Sequence, residues 1–314
     1  MIEVKNLSKR YGNVEAVRDV SFSVGADQVL GFLGPNGAGK TTIMKILTGY
    51  HFPSEGSVLV DGISVEDDPV EVKKRIGYLP ENVPLYGDFT VDEYLAFAAD
   101  ARLIPRGERK KRIEASLEAC ALGDRRSRKI ETLSKGYRQR AGLSQAILHD
   151  PPILILDEPT GGLDPNQIIE IRSLIKELGK RKTVILSTHI LPEVEAVCGR
   201  VLILNEGRIA AQGTAEEIAG TMKGGDTWEL ILKGAGAETI KARLPLLGGG
   251  PGIGTVENAE DRTVRLSFFV PAGSRKDLVS GERIFDWAVA CGFKILGMNR
   301  KKLSLEDIFV KLTA

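Results

Sequence analysis

The sequence predicts an α/β fold, in which helices flank a largely parallel sheet. Three stretches of the chain indicate it. The apolar run Val29–Leu33 passes through a glycine-rich loop into the helical periodicity of residues 43–47. A second aliphatic run, Ile153–Asp157, ends in acid, which is typical of a buried parallel strand whose carboxyl end enters a site. The apolar run Val184–Ser187 predicts a third such strand.

The glycine-rich loop reads G-P-N-G-A-G-K-T-T over residues 34–42. Between a strand and a helix this pattern predicts a phosphate cradle, because its glycines let several backbone N–H groups face one anion. The helix N-terminus adds its positive dipole end. We expect Lys40 to reach the β- and γ-phosphates of a nucleotide and Thr41 to ligate Mg²⁺. The alternative is a glycine-rich turn that binds nothing.

The acidic residues at the end of the second strand predict metal binding and activation of water. We expect Asp157 to hold Mg²⁺, mostly through water, and Glu158 to polarise the attacking water. An ordinary core strand with a solvated end is the alternative for this stretch taken alone. This alternative becomes improbable because the same chain contains the glycine-rich loop.

Further segments narrow the class of nucleotide-binding protein. Ser134 is a natural N-cap in the segment L-S-K-G-Y-R-Q-R, just before a helical pattern, and a helix start can bind phosphate. The segment G-G-L-D ends at Asp164, and V-I-L-S-T-H ends at His189. Tyr11 follows an amphipathic N-terminal strand.

The ends of two helices are predicted by their capping residues. Thr90 and Glu93 predict a capping box at the start of one helix. Asp164 with Pro165 predicts the start of the other, and Gly179 predicts its end.

Taken in this order and spacing, residues 2 to about 215 resemble the ATP-binding subunit of an ABC transporter. The resemblance implies a P-loop NTPase core of the ABC ATPase type, with an antiparallel β subdomain and a helical subdomain at about 85–150. It implies ATP and Mg²⁺ as ligands, catalysis by Lys40, Glu158 and His189, and Asp164 at a dimer interface. The implied ATP contacts are Tyr11, on adenine, and Gly34, Pro35, Asn36, Gly37, Ala38, Gly39, Lys40, Thr41 and Thr42. The implied signature residues, which contact ATP held by a second subunit, are Ser134, Lys135, Gly136 and Tyr137.

The chain departs from the family pattern at two places. The signature is most often L-S-G-G-Q, and here Lys135 and Tyr137 replace the first glycine and the glutamine. Glu81 stands where the family usually has glutamine, and its carboxylate is a good hard ligand for Mg²⁺ beside Thr41 and Asp157. Both variants resemble those of ABC exporters of the drug, polysaccharide and gliding-motility type.

Composition limits the remaining classes. The chain has 314 residues, a net charge of +1 and 42% hydrophobic residues, which predicts more than one folded unit and gives no electrostatic reason to expect nucleic acid as a partner. Its apolar runs are shorter than the roughly 20 residues that span a bilayer, and its first residues predict a strand, not a signal peptide. Three distant cysteines suggest neither a disulfide frame nor a metal cluster. We therefore expect a cytoplasmic protein, peripheral on the inner face of the cell membrane.

The tail predicts a small second domain. We expect an ATP-binding domain over 1–220, a linker over 221–226 and an α+β domain over 227–314. The tail's predicted elements follow the order β-α-β-β-α-β, which is a ferredoxin-like pattern. They are a strand (227–233), a helix (238–244), a glycine-rich turn (248–254), two strands (255–258 and 263–270), a helix (276–291) and a strand (293–298), followed by a closing helix (304–312) that Ser304 caps. We expect a small core of Trp228, Phe268, Phe269, Phe285 and Trp287. The tail resembles the C-terminal extension of some exporter-type ABC ATPases, and we expect it to support dimerisation or regulation.

Two hypotheses on partners remain open. One phosphate loop and one signature segment predict that two subunits, identical or different, enclose ATP head to tail and drive transmembrane permease subunits, with export as the direction. The alternative is a soluble ABC ATPase that acts on ribosomes or DNA. Basic runs at 106–112 and 125–129 are read either as a solvated helix face or as a contact with an acidic loop or anionic lipid.

Overall fold

The computed structural model describes residues 1–221, 226–247, 252–259, 263–270, 279–301 and 305–313. They divide into two compact units, Met1–Thr214 and Ala215–Leu312. The strands of the first unit are β1 (Ile2–Tyr11), β2 (Val14–Val24), β3 (Val29–Leu33), β4 (Glu55–Val60), β5 (Ile63–Ser64), β6 (Ile76–Leu79), β7 (Ile153–Asp157), β8 (Thr183–Thr188), β9 (Arg200–Asn205) and β10 (Arg208–Gly213). Its helices are α1 (Lys40–Leu47), α2 (Pro69–Arg75), α3 (Val91–Ala101), α4 (Arg106–Ala119), α5 (Lys135–Ile147), α6 (Pro165–Leu178) and α7 (Leu191–Val197), with short 3-10 turns at Gly123–Arg125 and Ile130–Thr132.

Two sheets build the first unit. An antiparallel sheet has the order β2-β1-β4-β5, and a six-stranded sheet has the order β10-β9-β3-β8-β7-β6. In the larger sheet β9, β3, β8, β7 and β6 run parallel, and β10 closes it as an antiparallel hairpin with β9. The predicted α/β core and its antiparallel subdomain are therefore confirmed. The parallel strands end at one edge, where Asp157 and Ser187 lie in register.

Strand β7 shows why its sequence is an unbroken apolar run. Ile153 and Ile155 pack in a core with the antiparallel sheet and α1. Leu154 and Leu156 point to the opposite face, into a core with α3, α5 and α6. Because both faces of the strand are buried, apolar and polar residues do not alternate in its sequence.

Helix ends in the first unit follow the predicted caps. Thr90 and Glu93 form the capping box of α3, and the Asp164 carboxylate accepts the N–H of Gln167 at the start of α6. Gly179 ends α6 as predicted, but with a right-handed φ of −64°. Close packing explains that glycine, since a Cβ there would lie 2.5 Å from Val29 Cγ2.

Four residues of the two basic runs pair with carboxylates of the chain, namely Arg109, Arg112, Arg126 and Lys129. Arg126 contacts both Asp92 and Glu114. Another pair joins Arg109 to Asp100 at 2.5 Å. The solvated-face interpretation fits these paired residues.

The second unit contains α8 (Ala215–Thr221), β11 (Asp226–Lys233), α9 (Ala237–Arg243), a 3-10 turn (Leu244–Leu247), β12 (Gly252–Ala259), β13 (Thr263–Val270), α10 (Gly281–Ala290), β14 (Lys294–Lys301) and α11 (Leu305–Thr313). Its antiparallel sheet has the order β12-β13-β11-β14. The order β-α-β-β-α-β predicted for the tail is therefore present from β11 to β14.

Some details of the tail differ from expectation. Most of the predicted linker (222–225), the first part of the predicted glycine turn (248–251) and the predicted cap Ser304 lie outside the described residues. Within them, Asp226 already belongs to β11 and Gly252 to β12. Phe285 is wrong as a core residue, because the inward face of α10 carries Ile284, Trp287 and Ala288, and Phe285 is 56% exposed.

No helix within the described residues is both long enough and apolar enough to cross a membrane.

Candidate functional site

The glycine-rich loop joins β3 to α1 and has the backbone of a cradle. Gly37 and Gly39 have φ of +83° and +100°, a region that side chains disfavour. Glycine is needed at position 34 for a different reason, because a Cβ there would lie 2.5 Å from the Leu204 carbonyl oxygen. Nothing lies within 4 Å of the Cβ position of Gly37. The loop is therefore open to a ligand on the Cβ side of Gly37.

Lys40 begins α1 and is folded back over this loop. Its ammonium donates to the carbonyl oxygens of Gly34 at 2.8 Å and Pro35 at 3.1 Å. The side chain is only 6% exposed, and burial lowers the pKa of Lys40, opposed by the charges of Glu158 and of two further carboxylates, Asp157 and Glu81. The Lys40 ammonium thus lies at the centre of the site. Glu81, the third predicted Mg²⁺ ligand, is close enough for its charge to affect the pKa of Lys40.

Asp157 lies at the carboxyl end of β7 and is buried. Its Oδ1 accepts hydrogen bonds from Ser187 Oγ at 2.6 Å and Thr41 Oγ1 at 3.3 Å. Its Oδ2 is buried without a hydrogen-bond partner among the described residues. A hard cation, or water bound to one, would satisfy that oxygen, so the predicted pair of Thr41 and Asp157 fits Mg²⁺.

Protein ligands alone would not complete such a site. No group of three or more His, Cys, Asp or Glu side chains in the described part of the chain could hold a metal. A Mg²⁺ ion that takes one or two protein ligands keeps waters and substrate phosphate oxygens as the others. The donor set therefore fits a metal that arrives with a phosphorylated ligand.

Glu158 and His189 face each other across the ends of β7 and β8. His189 Nδ1 lies 3.1 Å from Glu158 Oε2, and Lys40 Nζ lies 3.9 Å from Glu158 Oε1. Burial raises the pKa of Glu158, against the opposing effects of His189 and Lys40. Glu158 also has a φ of +47°, and its N–H donates to Ser187 Oγ at 2.9 Å. A carboxylate turned into a largely buried site in this way can act as a base.

A second carboxylate, which sequence reasoning missed, lies behind this pair. Glu193 on α7 is 3% exposed. Its Oε1 accepts from Thr160 Oγ1 at 2.6 Å, and its Oε2 accepts from Thr188 Oγ1 at 2.7 Å. Arg172 of α6 lies 3.6 Å from Oε1. In the sequence, Glu193 is recognisable only as a glutamate four residues after His189. That position does not indicate its contact with Thr160, which is 33 residues away.

The predicted signature segment starts α5 and lies beside the turn that carries Asp164. Ser134 accepts the N–H of Tyr137 at 3.5 Å, as the predicted N-cap. A Cβ on Gly136 would lie 2.5 Å from the end of the Gln167 side chain, so the helix start packs closely against that residue. Lys135 extends its ammonium over Gly162. The structure thus places the predicted signature residues next to the predicted interface residue.

Tyr11 lies at the end of β1, and its side chain is 42% exposed. Its ring contacts the edge of His51 at 5.7 Å between centroids, and the Lys9 ammonium lies 5.3 Å from the ring centroid. Among the other predicted contacts, Asn36 is exposed and Ala38 is buried, and Thr42 is half-buried in α1.

Comparisons with known proteins agree with this geometry. Residues 17–161 match the sequence profile of the family described as ABC transporter. The linearmycin resistance ATP-binding protein LnrL of Bacillus subtilis (strain 168) is 31% identical over 317 residues, which cover 100% of this chain and 98% of that protein. The Nod factor export ATP-binding protein I of Ralstonia nicotianae is 35% identical over 223 residues, covering 69% of this chain and 68% of that protein.

The fold is also similar to solved structures. A dimeric ATP-binding cassette in a post-hydrolysis state, bound to ADP and Pi, is 26% identical and has a TM-score of 0.63. The match covers 68% of this chain and 98% of that one.

Proposed function

Because this chain belongs to the ABC transporter family of ATP-binding proteins, it binds and hydrolyses ATP, and we propose that it energises a separately encoded membrane permease for export. The names of two relatives, a linearmycin resistance protein and a Nod factor export protein, support export as the direction. In this proposal the chain binds to the permease on the inner face of the cell membrane.

The observation that carries the proposal is the convergence of five predicted side chains at one edge of the parallel sheet. The contacts of Thr41 with Asp157, and of Glu158 with both Lys40 and His189, link the glycine-rich loop to the ends of β7 and β8. Phosphoryl transfer to water needs this combination of an anion cradle, a cation and a base.

We assign a role to each group. Glu158 accepts a proton from the attacking water, and burial favours this because it makes the carboxylate a stronger base. His189 Nδ1 holds that carboxylate in place, and Lys40 offsets the negative charge of the phosphates. Thr41, Asp157 and Glu81 would hold Mg²⁺, which neutralises phosphate charge when it is bound.

We propose that two subunits enclose ATP head to tail, either as a homodimer or as a heterodimer. The cradle has an open side, and Ser134 and Gly136 offer a helix start that could close it from a partner. Asp164 lies beside these residues and would belong to the same interface. The dimeric state of the related ADP-bound cassette supports this arrangement.

Replacing the proposed base tests the assignment. Glu158→Gln keeps the shape of the side chain but removes the base, so ATP hydrolysis should fall at least about 100-fold. ATP binding should persist, and the variant should elute as an ATP-dependent dimer in size-exclusion chromatography with light scattering. Glu195→Gln, an exposed site on α7, is the matched control. Hydrolysis by Glu158→Gln at the parent rate would show that another group activates the water.

The partner is tested separately. The tagged chain would be purified from gently solubilised cells of its own source, and proteins that co-purify would be identified by mass spectrometry. A polytopic membrane protein in stoichiometric amount is the expected result. Ribosomes or DNA-repair factors in its place would favour a soluble ABC ATPase.

A further inference from the structure

The ends of β7 and β8 lead into two separate loops that carry the reactive pair. Backbone pairing between the strands extends to Asp157 and Ser187. Beyond that point the Glu158 N–H donates to Ser187 Oγ, which in turn donates to Asp157. This serine fixes the backbone where Glu158 starts. It does not reach His189.

Glu193 makes the missing connection. One carboxylate oxygen accepts the hydroxyl of Thr160, two residues after Glu158, and the other accepts the hydroxyl of Thr188, immediately before His189. Thr188 Oγ1 also accepts the N–H of Ile190, so the backbone on both sides of His189 is tied to this group. The single carboxylate therefore spans the two loops, with one oxygen on each.

The surroundings make this bridge stiff. Glu193 is 3% exposed and lies in the first turn of α7, and Arg172 of α6 approaches it at 3.6 Å. Both hydrogen bonds are short and charge-assisted, at 2.6 and 2.7 Å. A buried carboxylate held by two hydroxyls and an arginine is costly to move, because any displacement leaves it without partners.

We propose that Glu193 is a positioning residue for hydrolysis, which sets the distance between Glu158 and His189 by holding Thr160 and Thr188. The inference rests on the proposed roles of Glu158 and His189. A catalytic base and the group that orients it must stay within a fraction of an ångström of the productive geometry. Glu193 touches neither side chain, so it acts through the two threonines alone.

The two threonines allow a matched test on the full-length protein. Thr160→Val and Thr188→Val keep side-chain shape but lose the hydroxyl, whereas Thr160→Ser and Thr188→Ser keep the hydroxyl. We expect each valine variant to lower kcat at least about 10-fold, with KM for ATP changed less than about twofold. The serine variants should recover most of the parent rate. Glu193→Gln, which retains one acceptor, should fall between the parent and Glu193→Ala.

A second comparison separates positioning from general damage to the fold. In a His189→Ala background the pair no longer exists, so Glu193→Ala should have little further effect on the residual rate. Equal losses in both backgrounds, or serine variants as slow as the valine ones, would overturn the proposal. Fluorescent ATP binding and an unfolding midpoint for every variant report on folding.

The controls also separate this inference from the proposed function. Glu195→Gln, exposed on the same helix, should hydrolyse ATP like the parent chain. If the parent and this control hydrolyse ATP and Glu193→Ala does so equally well, the positioning role is wrong and the proposed function stands. If Glu158→Gln hydrolyses at the parent rate, the assignment of the reactive pair fails first.

Discussion

His149 is an imidazole whose environment disfavours its charged form. It precedes β7 and lines a cavity of about 240 Å³ together with Arg102. Burial, and then the positive charge of Arg102, lower the pKa of His149 to about 4. Because that value is below the ordinary 6.5, protonation of His149 favours the unfolded chain. The stability that the neutral ring contributes is complete above about pH 6.5 and is lost as the pH falls towards 4.

This histidine should therefore contribute to acid sensitivity. Between pH 8 and pH 5 the parent chain should lose at most about 2 kcal/mol of unfolding free energy through His149, and His149→Gln should not show that loss. Urea unfolding of both chains at the two pH values measures the difference. His51→Gln is the comparison for loss of an imidazole elsewhere in the same unit. Because burial lowers the pKa of His51 as well, the contribution of His149 is the difference between the two variants. Parallel pH curves for the parent and His149→Gln would contradict the assignment.

Individual residues divide into those that local sequence reveals and those that it does not. Thr90, Ser134 and Asp164 were predicted as caps, since a cap depends on residues three positions away, and the structure confirms all three. Ser187, Thr160 and Glu193 were missed. Their contacts join residues about 30 positions apart, so they depend on how β7 and β8 pair and on where α7 lies.

At the scale of elements, α5 packs on β6 with almost no space between their backbones. A Cβ on Gly77 in β6 would lie 2.2 Å from the Ala146 carbonyl oxygen of α5 and 2.8 Å from Leu154 Cδ2. On the facing side, a Cβ on Gly142 of α5 would lie 2.5 Å from Val83 Cγ1. The helix that starts with the signature segment is therefore held directly against the strand that leads to Glu81.

A single methyl group at this contact should be costly. Gly77→Ala would force α5 away from β6, because a backbone carbonyl cannot turn aside as a side chain can. We expect a loss of about 2–3 kcal/mol in unfolding free energy, together with weaker ATP hydrolysis. Gly107→Ala in α4, where nothing lies within 4 Å, is the matched control and should be neutral or slightly stabilising. If the two variants unfold at the same urea concentration, α5 and β6 can accommodate the extra methyl group and the prediction is wrong.

Element boundaries were predictable where a side chain defines them. The strand Thr263–Val270 was predicted to the residue, because its alternating pattern follows the charged pair Asp261 and Arg262 and stops before Pro271. Of the helix predicted from Lys276, residues 276–278 lie outside the described residues, and within the described residues the helix begins at Gly281, where Ser280 accepts the Arg283 N–H. Periodicity alone does not distinguish a helical turn from the loop before it, and only the cap fixes the start.

At the scale of the whole molecule, each unit has a core of its own. The core of the second unit is formed by fourteen buried residues of the described part, among them Trp228, Phe268 and Trp287. Its four strands pair only with one another. The residues that form the candidate site all lie in the first unit, between Tyr11 and Glu193.

The two units should therefore be separable. A chain that ends at Thr214 retains both sheets of the first unit and every residue of the candidate site, so we expect it to fold and to bind ATP within about threefold of the full-length affinity. Residues 215–314 expressed alone should show a cooperative unfolding transition by circular dichroism. An aggregated or nucleotide-free first unit would mean that the tail completes its fold.

Truncation also tests why the chain carries the tail. If the second unit supports the dimer, Glu158→Gln without residues 215–314 should need a higher protein concentration to dimerise in ATP than full-length Glu158→Gln does. Dimerisation is entropically costly, and contacts outside the ATP site would lower the concentration that is needed. Light scattering over a dilution series measures the shift. Unchanged dimerisation, hydrolysis and permease binding would rule out a supporting or regulatory role for the tail.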